Sequence, residues 1–541
     1  MTFVNSLGIQ TKIEFIINGV YDKTNNIFSL SLAKEQMIED DTLLLESDLI
    51  FEERLIDMLL EDKRDSLALV DKFESWMDGT CIVVDQDDNI TDFIPGKLLQ
   101  YREKEQYYKT VNIYKFGADF SKNVYVPFLE AYAKVMGNNE YYEAVIKLIL
   151  LLDKNTMKAK RLQGELWYEI DDIQDLDIAQ TLFIEDDTKR YRSLMKRYGG
   201  YWRFPHLQDY CYLVNPYFPT RRMQEEMESN FDSLMRQYPS GMEVNSLLAA
   251  KCFQLHEEHV VLGNGAAELI KCLLEELHGT LGVIRPTFEE YANRWASECV
   301  VYDCTQNDFT YNAQQLITFF SEHLVDTLVL INPDNPSGYY MGQSEIAALL
   351  QWCKKENKIL IVDESFLDFA DEENVSLLSE RILSENPNLY VVKSISKSYG
   401  VPGLRLGILA SGNADMIGCL KKSVSIWNIN SMAEFFMQIL DKYKADYENS
   451  LREIKAERAR FFEALSQIKS LKVYPSQANY FMCELLDGHT SEELAGRLLK
   501  RNILIKDLTG KIKNGRQYIR IAIRTGTENQ RLVELLKEET Q

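Results

Sequence analysis

The 541-residue chain reads as an α/β protein with two domains. Its apolar, β-branched runs each stop at a polar or glycine-rich loop, and its length is far beyond one ordinary core, for which about 100–200 residues per domain is usual. The runs HVVL (259–262), VLI (329–331), KILIVD (358–363) and LYVVKSI (389–395) have the composition of buried strands, and each opens onto a loop able to carry chemistry. A short strand, a Gly-Asn-Gly turn and an amphipathic helix follow one another in HVVLGNGAAELIKCLL (259–274).

The most informative stretch is SISKSYGVPGLRLG (394–407). Lys397 follows the small hydroxyl residues Ser394 and Ser396 and precedes Gly400, Gly403 and Arg405, a spacing suited to holding a phosphate beside an imine-forming amine. That combination points to pyridoxal phosphate. Asp363 ends an apolar run, where a carboxylate can pair with a pyridine nitrogen and keep it protonated. Asn335, in a proline-held loop, offers an amide donor to a phenolate oxygen. The N–H groups of Ala266 and Ala267 open a helix and would face an anion, aided by the helix dipole.

These segments resemble the fold type I pyridoxal phosphate enzymes, in the branch holding histidinol-phosphate aminotransferase and threonine-phosphate decarboxylase, over residues 205–541. The resemblance implies a large domain with a mainly parallel seven-stranded sheet, a small C-terminal α/β domain and a homodimer with its sites at the subunit interface. It implies that Lys397 is the Schiff-base lysine and Asp363 the pyridinium partner. Asn335 becomes the phenolate donor, and Ser394, Ser396, Arg405 and the 266–267 backbone form the phosphate cup. Phe288 in IRPTFEEY matches the aromatic stacked on the cofactor ring, with Tyr291 as the other candidate. Tyr238 in QYPSG matches a tyrosine lent to the neighbouring subunit's cofactor phosphate, and Arg520 in YIRIAIRTGTEN matches the residue binding the substrate carboxylate.

One departure bears on the reaction. Aminotransferases of this branch carry tyrosine three residues after the aspartate, where this chain has Phe366, as threonine-phosphate decarboxylases also do. The VPGLRLG, IWNIN (426–430) and VYPSQANY (473–480) segments and the second arginine, Arg524, lean the same way. The expected activity is transamination of a small phosphate- or phosphonate-bearing amino compound, with decarboxylation of an O-phospho-amino acid close behind. Both reactions use the same lysine, aspartate and arginine.

Residues 1–184 carry no second lysine and glycine constellation, but they contain acidic strand ends in DTLLLESDLIF (41–51) and WYEIDDIQDLDIA (167–179). Two separated carboxylate clusters of this kind can converge on a magnesium ion that holds a nucleoside triphosphate. With YDKTNNIFSLSLA (21–33) and YKTVNIYKF (108–116), they resemble the cytidylyltransferases acting on phosphocholine or 2-aminoethylphosphonate. That resemblance implies a partial Rossmann-like domain with Asp48 and Asp171 as metal ligands and Lys109 as a phosphate or substrate contact. The family's N-terminal glycine-rich loop has no counterpart in residues 1–20, so its first nucleotide-binding half is expected to be missing, through a late or internal start. The fusion suggests one domain making a small phosphorylated or phosphonate amine and the other activating it as a CMP derivative. A linker is expected at 185–205, with the second domain at 206–541.

A net charge of −23 and a pI near 4.9 argue against nucleic acid as a partner. Nine cysteines without a CxxC pair read as reduced thiols, and no segment resembles a signal peptide or membrane span, so a cytoplasmic location is expected.

Overall fold

A computed structural model describes residues 6, 8–74, 76–152, 157–204 and 206–540, so part of the 1–20 segment lies outside the described residues. The chain divides into two units, 1–184 with 202–206, and 185–201 with 207–541.

The larger unit is built on seven strands: β1 (Val260–Asn264), β2 (Leu281–Arg285), β3 (Val300–Asp303), β4 (Thr327–Ile331), β5 (Ile359–Asp363), β6 (Leu389–Ser394) and β7 (Leu406–Ala410). Their spatial order is β1-β7-β6-β5-β4-β2-β3. β7 runs antiparallel to both its neighbours, and the remaining pairings are parallel. The continuous apolar runs have a simple cause. Leu328, Leu330, Leu360 and Val362 enter one hydrophobic core, while Val329, Ile331 and Ile361 enter another, so alternate residues bury both sheet faces. Backbone polar groups are then met by the strand ladder, and only the loops beyond the strand ends are left to bind a ligand.

A four-stranded antiparallel sheet near the C-terminus joins Leu471–Val473, Tyr480–Leu485, Tyr518–Ala522 and Lys506–Asp507, and it is accompanied by the helices Lys444–Ser466, Ser491–Lys500 and Gly526–Glu539. Thr490 and Glu493 form a capping box that starts the second of these helices. The stretch expected as a linker is different from that expectation. Residues Asp187–Lys196 form a helix of this unit: the Tyr191 hydroxyl donates to the Ile505 carbonyl, and Arg192 pairs with Glu492. The apolar Tyr191 and Leu194 face, hidden in a charged sequence, is what docks it.

The smaller unit departs from a Rossmann-like arrangement. Its six-stranded sheet centres on the long strand Tyr107–Phe116, and of its strand pairings only that between Leu67–Lys72 and Lys158–Arg161 is parallel among the described residues. A tight hairpin closed by Asp85 and Asn89 makes the Cys81–Val84 and Ile90–Ile94 strands antiparallel. A separate ribbon pairs Leu49–Phe51 with Trp167–Glu169.

Glu364 is a buried acid just past β5; its oxygens accept from the Ser376 hydroxyl and the Leu377 N–H. Burial pushes its pKa up to about 7. A carboxyl raised in the folded state binds its proton there while the unfolded chain has released it, so the fold loses stability as pH rises from about 4.5 through 7. Glu364→Gln is expected to flatten that part of the stability curve, by up to about 3 kcal/mol, measured by urea denaturation at pH 5 and pH 8.

Candidate functional site

The ends of β1, β4, β5 and β6 named from the sequence open on the same edge of the seven-stranded sheet. Lys397 lies in the short helix Ile395–Ser398, immediately after β6, and its backbone carbonyl accepts from the Asn215 N–H at 2.9 Å. The Asn215 amide also donates to the Ser398 carbonyl, fixing this turn from a segment 183 residues away. The Lys397 amine lies 4.7 Å from the Phe366 ring centre and 5.9 Å from that of Phe288. Burial lowers its pKa below the usual lysine value; Asp363 opposes this, while Arg520 and Arg405 add to it. A buried amine with lowered basicity is the form that acts as nucleophile and proton carrier.

Asp363 is held on both oxygens. The Ser365 N–H donates to Oδ1 at 2.9 Å, and the Tyr291 hydroxyl donates to Oδ2, also at 2.9 Å. Tyr291 therefore orients the carboxylate, and its ring stands edge-on to Phe288 at 6.5 Å. Of the two aromatic candidates, the half-buried Phe288 is the one whose ring neighbours the lysine amine.

Gly265 has φ of 76° and precedes the 11-residue helix Ala266–Glu276, so the Ala266 and Ala267 N–H groups open that helix without an intrahelical acceptor. A β-carbon at Gly265 would come within 2.3 Å of the Arg405 guanidinium, which shows how closely that cation overlies the helix start. The Arg405 carbonyl accepts from the Gly265 N–H, tying the two loops together. Ser394 is buried with its N–H on the Ser365 hydroxyl, and the Ser396 hydroxyl is buried without a partner among the described residues. Unpaired amides, a cation and an orphan hydroxyl form a donor set that fits a phosphate.

Arg520, on the Tyr518–Ala522 strand, donates to the Asn335 side-chain oxygen at 2.7 Å and to the Cys211 carbonyl at 2.8 Å, and its Nε is buried without a partner. With its oxygen occupied, the Asn335 amide has its NH2 left as a donor. Lys511 was not legible as a site residue. Its amine donates to the Thr287 carbonyl beside Phe288, and burial, with Arg520 nearby, pushes its pKa down to about 8. Arg524 does not join the site: its guanidinium is taken up by Glu528 and the Asp209 carbonyl, because the turn into the last helix points it along that helix. Tyr238 is 78% exposed and stacks on Trp427 at 4.3 Å, away from this chain's own buried groups.

In the smaller unit, the ribbon brings Asp48 and Asp171 onto facing strand ends, with the Ile170 N–H on the Asp48 carbonyl. Asp171 is held above the usual carboxylate range by burial, with Asp175 and Asp48 adding to it. Among the described residues these two aspartates do not belong to any group of three or more metal-donor side chains. Lys109 is only 1% exposed and pairs with Glu169 at 3.0 Å while donating to the Thr110 carbonyl, so its amine is committed inside the protein rather than offered to a phosphate. A bulge in the central strand puts Asn112 at φ of 60°, aiming its amide at Glu46 and Glu169.

Comparison with known proteins agrees with this fold. Residues 209–537 match the family model Aminotransferase class I and II. The CMP-5'-(3-aminopropyl)phosphonate synthase of Streptomyces rubellomurinus is 30% identical over 97% of this chain and 83% of its own length. An L-serine phosphate decarboxylase of Campylobacter jejuni is 33% identical over 59% of this chain and 85% of its own length. Among solved structures, a decarboxylase from Sulfurospirillum multivorans aligns with a TM-score of 0.57 at 29% identity, covering 66% of this chain and 99% of that one. The histidinol-phosphate aminotransferase of Clostridium acetobutylicum aligns with a TM-score of 0.55 at 26% identity, covering 61% of this chain and 98% of that one. Fold and site together define a type I pyridoxal phosphate enzyme. The chain belongs to the class I and II aminotransferase family.

Tyr291→Phe removes one hydrogen bond to a charged carboxylate, worth about 1.5 kcal/mol. Roughly tenfold weaker retention of pyridoxal phosphate is expected from that loss, read by cofactor absorbance after dialysis, with the thermal midpoint little changed.

Proposed function

We propose that the larger unit decarboxylates a small amino acid bearing a phosphate or phosphonate group, and that its amine product is the substrate of the smaller unit. The observation that carries this reading is the pair of phenylalanine rings, Phe366 and Phe288, flanking the Lys397 amine. A carboxylate placed against them has little to solvate it, whereas carbon dioxide leaves without charge. The two rings also keep water from that side of the amine.

Pyridoxal phosphate, when bound, supplies the electron sink that accepts the electrons left at Cα. Ala266, Ala267, Ser396 and Arg405 would hold its phosphate, Asp363 its ring nitrogen, Asn335 its phenolate oxygen and Phe288 its ring face. Lys397 then carries the proton that replaces carbon dioxide at Cα, which its lowered basicity suits. Arg520 and Lys511, two cations close enough to act on one another electrostatically, suit the substrate's phosphorus oxyanion. Relatives named for L-serine phosphate decarboxylation and for a CMP-aminopropylphosphonate support the substrate class.

Transamination is the reading the sequence ranks first, and Arg520 keeps it in play. An arginine whose Nε lacks a partner is well placed to grip an α-carboxylate and protect it from loss. Purified protein loaded with pyridoxal phosphate is to be mixed with O-phosphoserine, O-phosphothreonine or a 2-amino-phosphonocarboxylate. Release of carbon dioxide with the aldehyde form of the cofactor retained is expected; conversion to pyridoxamine phosphate without gas would make the enzyme a transaminase. Phe366→Tyr is expected to slow carbon dioxide release about tenfold or more.

For the smaller unit the proposed role is transfer of the cytidylyl group of CTP to a phosphorus-bound oxygen of the amine product, pyrophosphate leaving, with Asp48 and Asp171 as the magnesium-binding pair. Pyrophosphate release from CTP that depends on magnesium and is lost in Asp171→Asn is the expected result; release unchanged in that variant would remove the assignment.

The proposed assembly is a homodimer. Tyr238, Trp427, Ile426, Phe231 and Met235 are exposed apolar side chains of the larger unit, and Tyr238 is the residue a partner's phosphate cup would receive.

A further inference from the structure

A second constellation lies at the opposite end of β1 from the phosphate cup. The chain has six histidines, and two of them, His256 and His259, flank the turn that leads into β1 and lie beside Glu380, the first residue of the helix Glu380–Glu385. One donor atom from each of the three lies within 4.8 Å of the others. The His259 Nδ1 is 2.7 Å from Glu380 Oε1, and the two imidazole rings are nearly parallel, 6° apart, with centres 5.8 Å from each other. From this geometry we infer a binding site for a borderline divalent cation, zinc in the first instance, on His256, His259 and Glu380.

Three features argue for a site rather than a chance hydrogen bond. The donor set is right: two imidazoles and one carboxylate are a recurrent zinc triad, and zinc takes N and O ligands at about 2.0–2.2 Å. Around a tetrahedral ion at these distances the donors lie about 3.4 Å from one another, and the three donors here, within 4.8 Å of one another, approach that spacing by side-chain rotation. The carboxylate is held from outside, by the Ser384 hydroxyl at 2.7 Å on Oε1 and the His256 N–H at 2.9 Å on Oε2. Outer-shell hydrogen bonds of this kind orient a ligand before the metal arrives. Access is open as well as fixed: His259 is 13% exposed and anchored through its carbonyl, which accepts from the Ser411 N–H, whereas the His256 side chain is 62% exposed. Glu258, 3.5 Å from His256 Nδ1, stands ready as a further carboxylate or as a hydrogen-bond partner for bound water.

The site is separate from the cofactor. β1 has five residues, about 16 Å of strand, between His259 and Gly265, and Lys397, Asp363 and Arg405 all lie at the far end. Its role is to clamp the turn at 256–259 to the helix ahead of β6, pinning the base of the strand that carries the phosphate cup.

Isothermal titration of zinc chloride into chelator-treated protein, kept loaded with pyridoxal phosphate, tests this. One equivalent per chain is expected to bind and to raise the thermal midpoint, as a ligand of the folded state must. Cobalt(II) is expected to show the intense visible bands of a tetrahedral site, and the cofactor spectrum is expected to stay unchanged. His256→Ala removes an exposed side chain and so leaves folding intact; it should weaken zinc at least about tenfold and abolish the cobalt bands. Glu380→Gln should do the same. The nine cysteines are the competing donors, and they are untouched in both variants. Absence of stoichiometric binding by the unaltered chain, or equal affinity in His256→Ala, overturns the proposal.

Discussion

The larger unit depends on keeping one amine, that of Lys397, inside the protein. A lysine ammonium left alone in such surroundings would cost several kcal/mol. Here the cost is met by shifting the amine toward its neutral form and by Asp363, whose charge opposes that shift. Everything else follows from holding these two groups apart but in range. Parallel strands β5 and β6 set their spacing, Tyr291 and Ser365 fix the carboxylate, and Asn215 fixes the turn that carries the lysine.

How much of this was legible in sequence depended on distance along the chain. Lys397, Asp363, Asn335 and the Gly265 turn could be read because each is the last word of a local pattern, an apolar run ending in a polar loop. The bond from Tyr291 to Asp363 spans 72 residues and that from Arg520 to Asn335 spans 185, and nothing in either local segment announces them. Lys511 sits in a short polar connection with no periodicity, and only the pairing of Lys506 with Arg520 brings it near the site. Arg524 illustrates the converse: it lies in the same motif as Arg520, but the start of the last helix gives it Glu528 as an i,i+4 partner.

The smaller unit was harder to read for a related reason. Apart from Tyr107–Phe116 its strands are short, and they are mostly antiparallel, so local runs do not reveal which strand lies beside which. The ribbon that joins Asp48 to Asp171 and the bulge that turns Asn112 are both products of pairing register. The helix at Asp187–Lys196 escaped notice because only two buried side chains, Tyr191 and Leu194, mark its inner face amid charged residues.

The bond from Arg520 to Asn335 joins a strand of the C-terminal sheet to a loop of the seven-stranded one. On the proposed roles, a substrate anion that draws the guanidinium toward itself must compete with the amide oxygen for the same donor, and the amide is the group that would meet the cofactor. The two equilibria are therefore coupled, and thermodynamic reciprocity requires that whatever substrate binding does to cofactor affinity, cofactor binding does in equal measure to substrate affinity. On the proposed roles, a single hydrogen bond would thus tell each small molecule's site whether the other is filled.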